Sequence, residues 1–143
     1  MEIKNRKANY LYFILDRYEC GIELVGTEIK SLRNNSADIR DSYGIIRNNE
    51  IYLINMYIAK YKEGNLFNHD ERRSRKLLLH KNEIKKIKKQ VEQDGVTLVP
   101  LSVYLKGRYA KVELGVCKGK KLYDKRESIK ERDLKRENSK IMY

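Results

Sequence analysis

Between Val96 and Cys117 the chain reads VTLVPLSVYLKGRYAKVELGVC, and apolar side chains recur at every second position on both sides of a Lys106-Gly107-Arg108 turn. Leu101, Val103 and Leu105 share one face of the first run, and Ala110, Val112, Leu114 and Val116 share one face of the second. The pattern predicts a β-hairpin with one buried side. Pro100 has no N–H to donate to a ladder, so the first strand should begin at an edge or a bulge. A second hairpin is written in SYGIIRNNEIYLINMYIA, where Asn48-Asn49 can take the positive φ of a tight turn between β-branched and aromatic runs. Residues 9–25, NYLYFILDRYECGIELV, form another strand-rich stretch. Its charges at Asp16, Arg17, Glu19 and Glu23 argue against a buried helix.

Two segments switch to the helical period. In GTEIKSLRNN, Val25, Ile29 and Leu32 fall at i, i+4 and i+7, Glu28 complements the N-terminal dipole, and Asn34-Asn35 can stop the helix. This short helix is expected to plug one end of a sheet. The second, near residues 82–94, places Ile84, Ile87 and Val91 on one stripe, with Gly95 as the stop signal. Lys85, Lys86, Lys88 and Lys89 lie off that stripe, and a solvated face explains them better than phosphate contacts. The sum is a mainly β chain with short helices, arranged as a small closed or partly open β-barrel.

Composition adds a partner and a boundary. The 143 residues are enough for one core, and 32 Lys/Arg against 20 Asp/Glu give a net +12, which draws polyanions to the surface. After Cys117 the texture changes: residues 118–143 hold ten Lys/Arg and five Asp/Glu with few apolar side chains. Residues 1–117 are therefore expected to form the barrel, and residues 118–143 a basic C-terminal tail that is disordered when free. Within the tail, Ser128-x-x-Glu131 can form a capping box and Glu131 precedes Lys135 by four, so a helix is within reach once a polyanion neutralises the charge. No signal peptide and no apolar run of about 18 residues occurs, so a soluble, membrane-free, cytoplasmic protein is expected, and a monomer. Cys20 and Cys117 form no ligand motif and are read as free thiols.

Catalysis finds little support. His69 and His80 are the only histidines, neither lies in a nucleophile motif, and His69-Asp70 fits a loop hydrogen bond better than an orienting pair. Walker, zinc and dinucleotide signatures are missing, so neither an enzyme nor a cofactor is expected. RNA binding finds more. Eleven tyrosines supply flat rings with polar tips. Basic residues gather in ERRSRK (71–76), with Arg73, Arg75 and Lys76, and in KGKK (118–121), with Lys118, Lys120 and Lys121; such groups meet phosphate as forked donors or point charges.

Five stretches taken together say more than composition. NRKANYLYF (5–13), GIELVGTEIKSLR (21–33), DSYGIIRNNEIYL (41–53), FNHDERRSRKLLLHK (67–81) and KGKKLYDKRESIKERD (118–133) occur in the order and spacing of the bacterial SsrA-binding protein family, small protein B, or SmpB. The chain resembles that family over nearly its whole length. The resemblance implies an oligonucleotide-binding-type (OB-fold) barrel that binds transfer-messenger RNA (tmRNA) and serves ribosome rescue, or trans-translation, at ribosomes stalled without a stop codon, acting with elongation factor Tu. The residues alone leave open a ribosomal or general structured-RNA barrel, or, further off, a small ribonuclease.

Carried over by motif, the resemblance implies an RNA-facing surface at Asn5, Arg6, Lys7, Glu19 and Leu78. A carboxylate suits this role by accepting bonds from base N–H groups or 2′-hydroxyls, and a leucine by packing on an unstacked base; a surface ion pair for Glu19 and a core position for Leu78 are the structural alternatives. The resemblance further implies that the tail enters the empty messenger channel and decoding site, with Tyr123 stacking on a base and Asp124, Lys125 and Arg126 close behind. Lys130 and Arg132 follow in the same tail. Cys20, where the family usually has a small residue, the lysine-rich helix and the terminal Tyr143 depart from the pattern.

Overall fold

Alternating side chains set the strands, and two-residue turns set which strands become neighbours. The computed structural model describes residues 1–63, 68–92 and 95–120. In chain order its elements are β1 (Glu2–Lys4), α1 (Ala8–Leu11), β2 (Tyr12–Ile22), α2 (Gly26–Arg33), β3 (Ala37–Asp38), β4 (Tyr43–Arg47), β5 (Glu50–Ile54), β6 (Tyr57–Ile58), β7 (Arg75–Leu78), α3 (Lys81–Val91), β8 (Val96–Lys106) and β9 (Tyr109–Gly119). Asn48 and Asn49 take φ of 52° and 60°, the geometry of a two-residue hairpin turn joining β4 to β5. Gly107, at φ 64°, opens the turn joining β8 to β9.

Pairing runs β8–β4–β5–β7–β2–β9 and returns from β9 to β8, so the strands close into a barrel. β1 extends the same edge of β8 beyond β4, while β3 and β6 make a separate two-stranded sheet. The β4–β8 seam closes through one residue pair, Gly44 opposite Leu98. A Cβ on Gly44 would stand 2.8 Å from Leu98 Cβ, so the absent side chain is what lets the strands meet.

The core fills the barrel. Val103, Val112, Leu114 and Val116 meet Ile51, Leu53 and Leu77 inside it, and α2 and α3 contribute Leu32, Ile84 and Ile87. All four lysines off the α3 stripe are exposed, and Gly95 beyond the helix has φ 78°. Two expectations shift. The register slips between Pro100 and Ser102, which supplies the bulge that Pro100 demanded but inverts the alternation. Leu101 therefore leaves the face of Val103 and packs in a second, smaller cluster with Ala8, Val99 and Cys117. In α2 the first member of the expected stripe, Val25, lies before the helix and is exposed, while Glu28, Ser31 and Leu32 are the buried positions. Strand β9 also runs two residues past Cys117, with Lys118 opposite both Phe13 and Val96.

Candidate nucleic-acid interface

The residues expected to face RNA separate into two patches at opposite ends of β2. The first surrounds Glu19. Pairing sets Glu19 opposite Glu113 on β9, and Tyr104 on β8 donates its hydroxyl to Glu19 Oε2 across the intervening strand. Lys106 Nζ lies 3.6 Å from Oε1. The Tyr104 hydrogen bond, aided by Lys106 and Lys111, holds the Glu19 carboxyl below its ordinary range. Burial and the Glu19 carboxylate together push the Tyr104 hydroxyl up to about 12, so it remains a donor at neutral pH. Leu78 is 46% exposed at the end of β7, opposite Gly21 on β2, which excludes the core position for it. Gly21 has no Cβ, and one placed there would be 3.2 Å from Leu78 Cβ. A cavity of about 470 Å³ opens between Glu19, Leu78, His80 and Tyr109. It offers a fixed carboxylate acceptor beside an apolar wall, a combination suited to base edges rather than phosphate.

The second patch surrounds α1. Phe13 is six positions before Glu19 on β2, which at about 3.3 Å per residue separates the patches by about 20 Å. Arg6, Lys7, Tyr10 and Arg40 line an open cavity of about 740 Å³. Lys120 joins them: its N–H donates to Leu11 O at 2.9 Å, its Nζ donates to Asn9 O at 2.8 Å and stands 5.1 Å from the Phe13 ring centroid. Lys118 is exposed on the neighbouring end of β9. Asn5 lies mostly inside the fold. It is only 9% exposed, and its side-chain amide donates to Pro100 O at 3.2 Å, which anchors the turn that presents Arg6 and Lys7.

In the ERRSRK cluster the structure corrects Arg75. Arg75 is fully buried, with Nε 2.5 Å from Glu28 Oε2 and Nη1 2.6 Å from Met56 O. Its guanidinium is consumed inside the fold and cannot reach phosphate. Arg73 Nη2 lies 2.6 Å from Glu28 Oε1 while part of its side chain stays exposed. Burial alone would raise the Glu28 carboxyl; the Arg73 and Arg75 guanidiniums and the Val25 N–H overcome this and hold it below the ordinary range. Lys76 faces outward on β7, half-buried and 3.8 Å from Glu50, while Arg72 is the exposed arginine of the cluster.

His69 is a loop hydrogen-bonding group. Its Nε2 donates to Ile58 O at 2.9 Å, which leaves Nδ1 to accept from the Thr27 hydroxyl at 2.9 Å. Cys20 and Cys117 are buried free thiols, pushed by burial up to about 12 and about 11. Among the described residues no group of His, Cys, Asp and Glu could hold a metal ion, and no helix is long and apolar enough to cross a membrane. Lys121, Tyr123, Asp124, Lys125, Arg126, Lys130, Arg132 and Tyr143, with the expected disorder of the tail, lie outside the described residues.

Tyr104, Lys106, Tyr10 and Arg40 were not singled out by sequence reasoning. Tyr104 had a readable signal: with Val103 inward, period two points Tyr104 outward beside the hairpin turn.

Comparison with known proteins agrees with this architecture. The family model described as SmpB protein matches residues 2–143. An SsrA-binding protein of Clostridium acetobutylicum is 54% identical over 96% of this chain and 89% of its own length. One of Carboxydothermus hydrogenoformans is 52% identical over 97% of this chain and 93% of its own. A solved structure described as "tmRNA-SmpB: a journey to the center of the bacterial ribosome" superposes with a TM-score of 0.73 at 48% identity, covering 90% of this chain and 94% of that one. With an OB-type barrel closed from β8 to β9 and a family match that begins at Glu2 and ends at Tyr143, the chain belongs to the SmpB protein family.

Proposed function

We propose that this chain is a cytoplasmic, monomeric RNA-binding adaptor of trans-translation. It holds the tRNA-like domain of transfer-messenger RNA, stands in for the missing anticodon arm, and acts with elongation factor Tu to bring the aminoacylated RNA to a stalled ribosome. The observation that carries this reading is the Glu19 patch, where an oriented carboxylate and an exposed leucine stand among the lysines, contacts that a purely phosphate-tracking surface would not present. Folded RNA loops offer unpaired base edges and 2′-hydroxyls to such a surface. The names of the relatives, SsrA-binding protein, and of the tmRNA-SmpB structure support the same partner.

The α1 patch supports a second contact. Arg6, Lys7, Lys118 and Lys120 stand about 20 Å from Glu19, where the described chain ends beside Leu11. In this reading they and Lys121 extend the contact with transfer-messenger RNA, and the tail residues that follow, Tyr123, Asp124, Lys125, Arg126, Lys130 and Arg132, occupy the empty decoding site and messenger channel.

A stop after Lys121 tests the division of labour. Residues 1–117 alone keep 22 Lys/Arg and 15 Asp/Glu, a net of 22 − 15 = +7, so affinity for transfer-messenger RNA should fall only modestly. Tagging of peptides on stalled ribosomes should nearly vanish. Normal tagging at saturating RNA would remove the tail from the mechanism and leave a plain structured-RNA binder.

A further inference from the structure

A groove of about 460 Å³ lies on the outer side of the sheet between the two patches, inside the range of about 300–1,000 Å³ typical of small-ligand pockets. Its shape follows from register. Lys4 on β1, Ser102 on β8, Glu113 on β9 and Glu19 on β2 stand opposite one another in a single row across four strands. Ser102 is the short member of that row. Gly115, which faces Arg17 from β9, has no side chain at all, and a Cβ there would lie 2.9 Å from Leu101 Cδ1. Leu101 takes the space over Gly115, and the short Ser102 between Lys4 and Glu113 leaves a trough.

Two β-bulges frame it. Register slips between Ile14 and Asp16 in β2 and between Pro100 and Ser102 in β8. Each slip turns an apolar side chain outward, so Ile14 and Leu101 line the groove beside Ala8 of α1. That end is an apolar shelf. The polar wall contains an unexplained group: Ser102 is 5% exposed, and its hydroxyl has no hydrogen-bond partner among the described residues. A buried hydroxyl left unpaired is costly and uncommon. At the rim, Arg17 is tied to Glu113 at 2.6 Å and Lys4 lies 3.9 Å from Glu2. Arg6 has no ion pair among the described residues and lines both this groove and the α1 cavity.

An apolar shelf, a polar wall and an uncommitted guanidinium at the mouth are the three contacts that a ring, its edge and its phosphate require. We propose that this groove seats one unstacked nucleotide of the bound RNA, its base against Ile14 and Leu101 and its phosphate at Arg6. The position gives the proposal its reach, since Glu113 adjoins Glu19 at one end and Arg6 adjoins Lys7 at the other, so a strand passing from one patch to the other crosses the groove. The source of the nucleotide rests on the proposed RNA partner, whereas the chemistry of the seat does not.

The full chain, isotopically labelled, is titrated with each ribonucleoside 5′-monophosphate and with ribose 5-phosphate, and amide shifts are followed. At least one nucleotide should give saturable shifts at Asn9, Ile14, Arg17 and Ser102 with a dissociation constant on the order of 1 mM, reasonable for one stacked base. Ribose 5-phosphate should not. Ser102→Leu should abolish the shifts and lower affinity for transfer-messenger RNA about tenfold, the effect of losing one stacked base; Arg6→Gln, at an exposed site, should weaken nucleotide binding if Ser102→Leu fails to fold. Equal shifts with ribose 5-phosphate, shifts spread over the lysines of α3, or no shifts would overturn the nucleotide seat. Groove binding of a nucleotide without retention of transfer-messenger RNA would uphold the seat and reject the proposed partner.

Discussion

Glu28 and Glu19 are both carboxylates held below their ordinary range by donors from other elements, yet one is sealed inside the fold and the other stays open at the surface. Glu28 is fully buried, and both oxygens are taken by Arg73, Arg75 and the Val25 N–H. It ties α2 to β7 and to the loop before it. Glu19 is exposed, and its donors, Tyr104 and Lys106, come from a single strand and approach from one side. A charged motif therefore carries no fixed meaning. What decides is whether the protein itself completes the coordination, because a completed buried cluster resists exchange with any ligand while a half-completed exposed one presents its remaining acceptor capacity outward.

The largest expected effect falls on the closed cluster. Glu28→Ala strands one fully buried guanidinium and should cost about 3–5 kcal/mol of stability in urea unfolding; a loss below about 1 kcal/mol would mean that the cluster is not what holds α2. Acid should find the same weakness. Because the folded Glu28 carboxyl titrates below its unfolded value, its stabilisation is complete above the ordinary carboxylate range and disappears as pH falls through the depressed folded value. Glu28→Gln should flatten that part of the stability profile.

On the open cluster the loss should appear in binding. Glu19→Ala is expected to weaken retention of transfer-messenger RNA by about tenfold or more, as for a lost hydrogen bond to a charged group, with an unchanged melting temperature. Simple charge attraction predicts tighter binding instead, so a gel-retardation assay separates the two by sign. Tyr104→Phe should weaken binding less, by about two- to tenfold, because it loosens the acceptor without removing it. Without the Tyr104 donor the Glu19 pKa moves back up, so as pH is lowered the variant should lose affinity at a higher pH than the unmodified protein. Lys106→Met, at an exposed pair, should change affinity by about twofold at most, and salt should erase the difference.

How much was legible depended on whether a local rule was enough. Asn48-Asn49 and Lys106-Gly107-Arg108 announced their hairpins because positive φ is a local demand, and Ile84, Ile87 and Val91 announced α3 by period. Glu19 and Leu78 came from motif resemblance, and their exposure agrees with a surface placement without assigning them a role. Arg75 was misread because ERRSRK was taken as a linear charge run. The strand period was available: Arg75 and Leu77 alternate with Lys76 and Leu78, so Arg75 shares the inward face of Leu77. Leu101 was misplaced for a different reason. Pro100 signalled a bulge, but the side-chain parity after a bulge depends on where the extra residue falls, and that is set by partners on β9. The separation of Arg6 and Lys7 from Glu19 is likewise a property of a long strand, invisible in a motif that lists them only a dozen positions apart.

The one-pair seam between β4 and β8 also constrains how this sequence can drift. Gly44 and Leu98 divide a fixed volume between them, since a Cβ at position 44 would already meet Leu98 at 2.8 Å. Substitution at either position is thus conditional on the other: a branched residue at 44 is compatible with barrel closure only where 98 has become shorter. In members of the family that carry a side chain at position 44, position 98 should hold valine, alanine or a smaller residue, and the two positions should change together although two of the barrel's strands, β5 and β7, separate them along the chain.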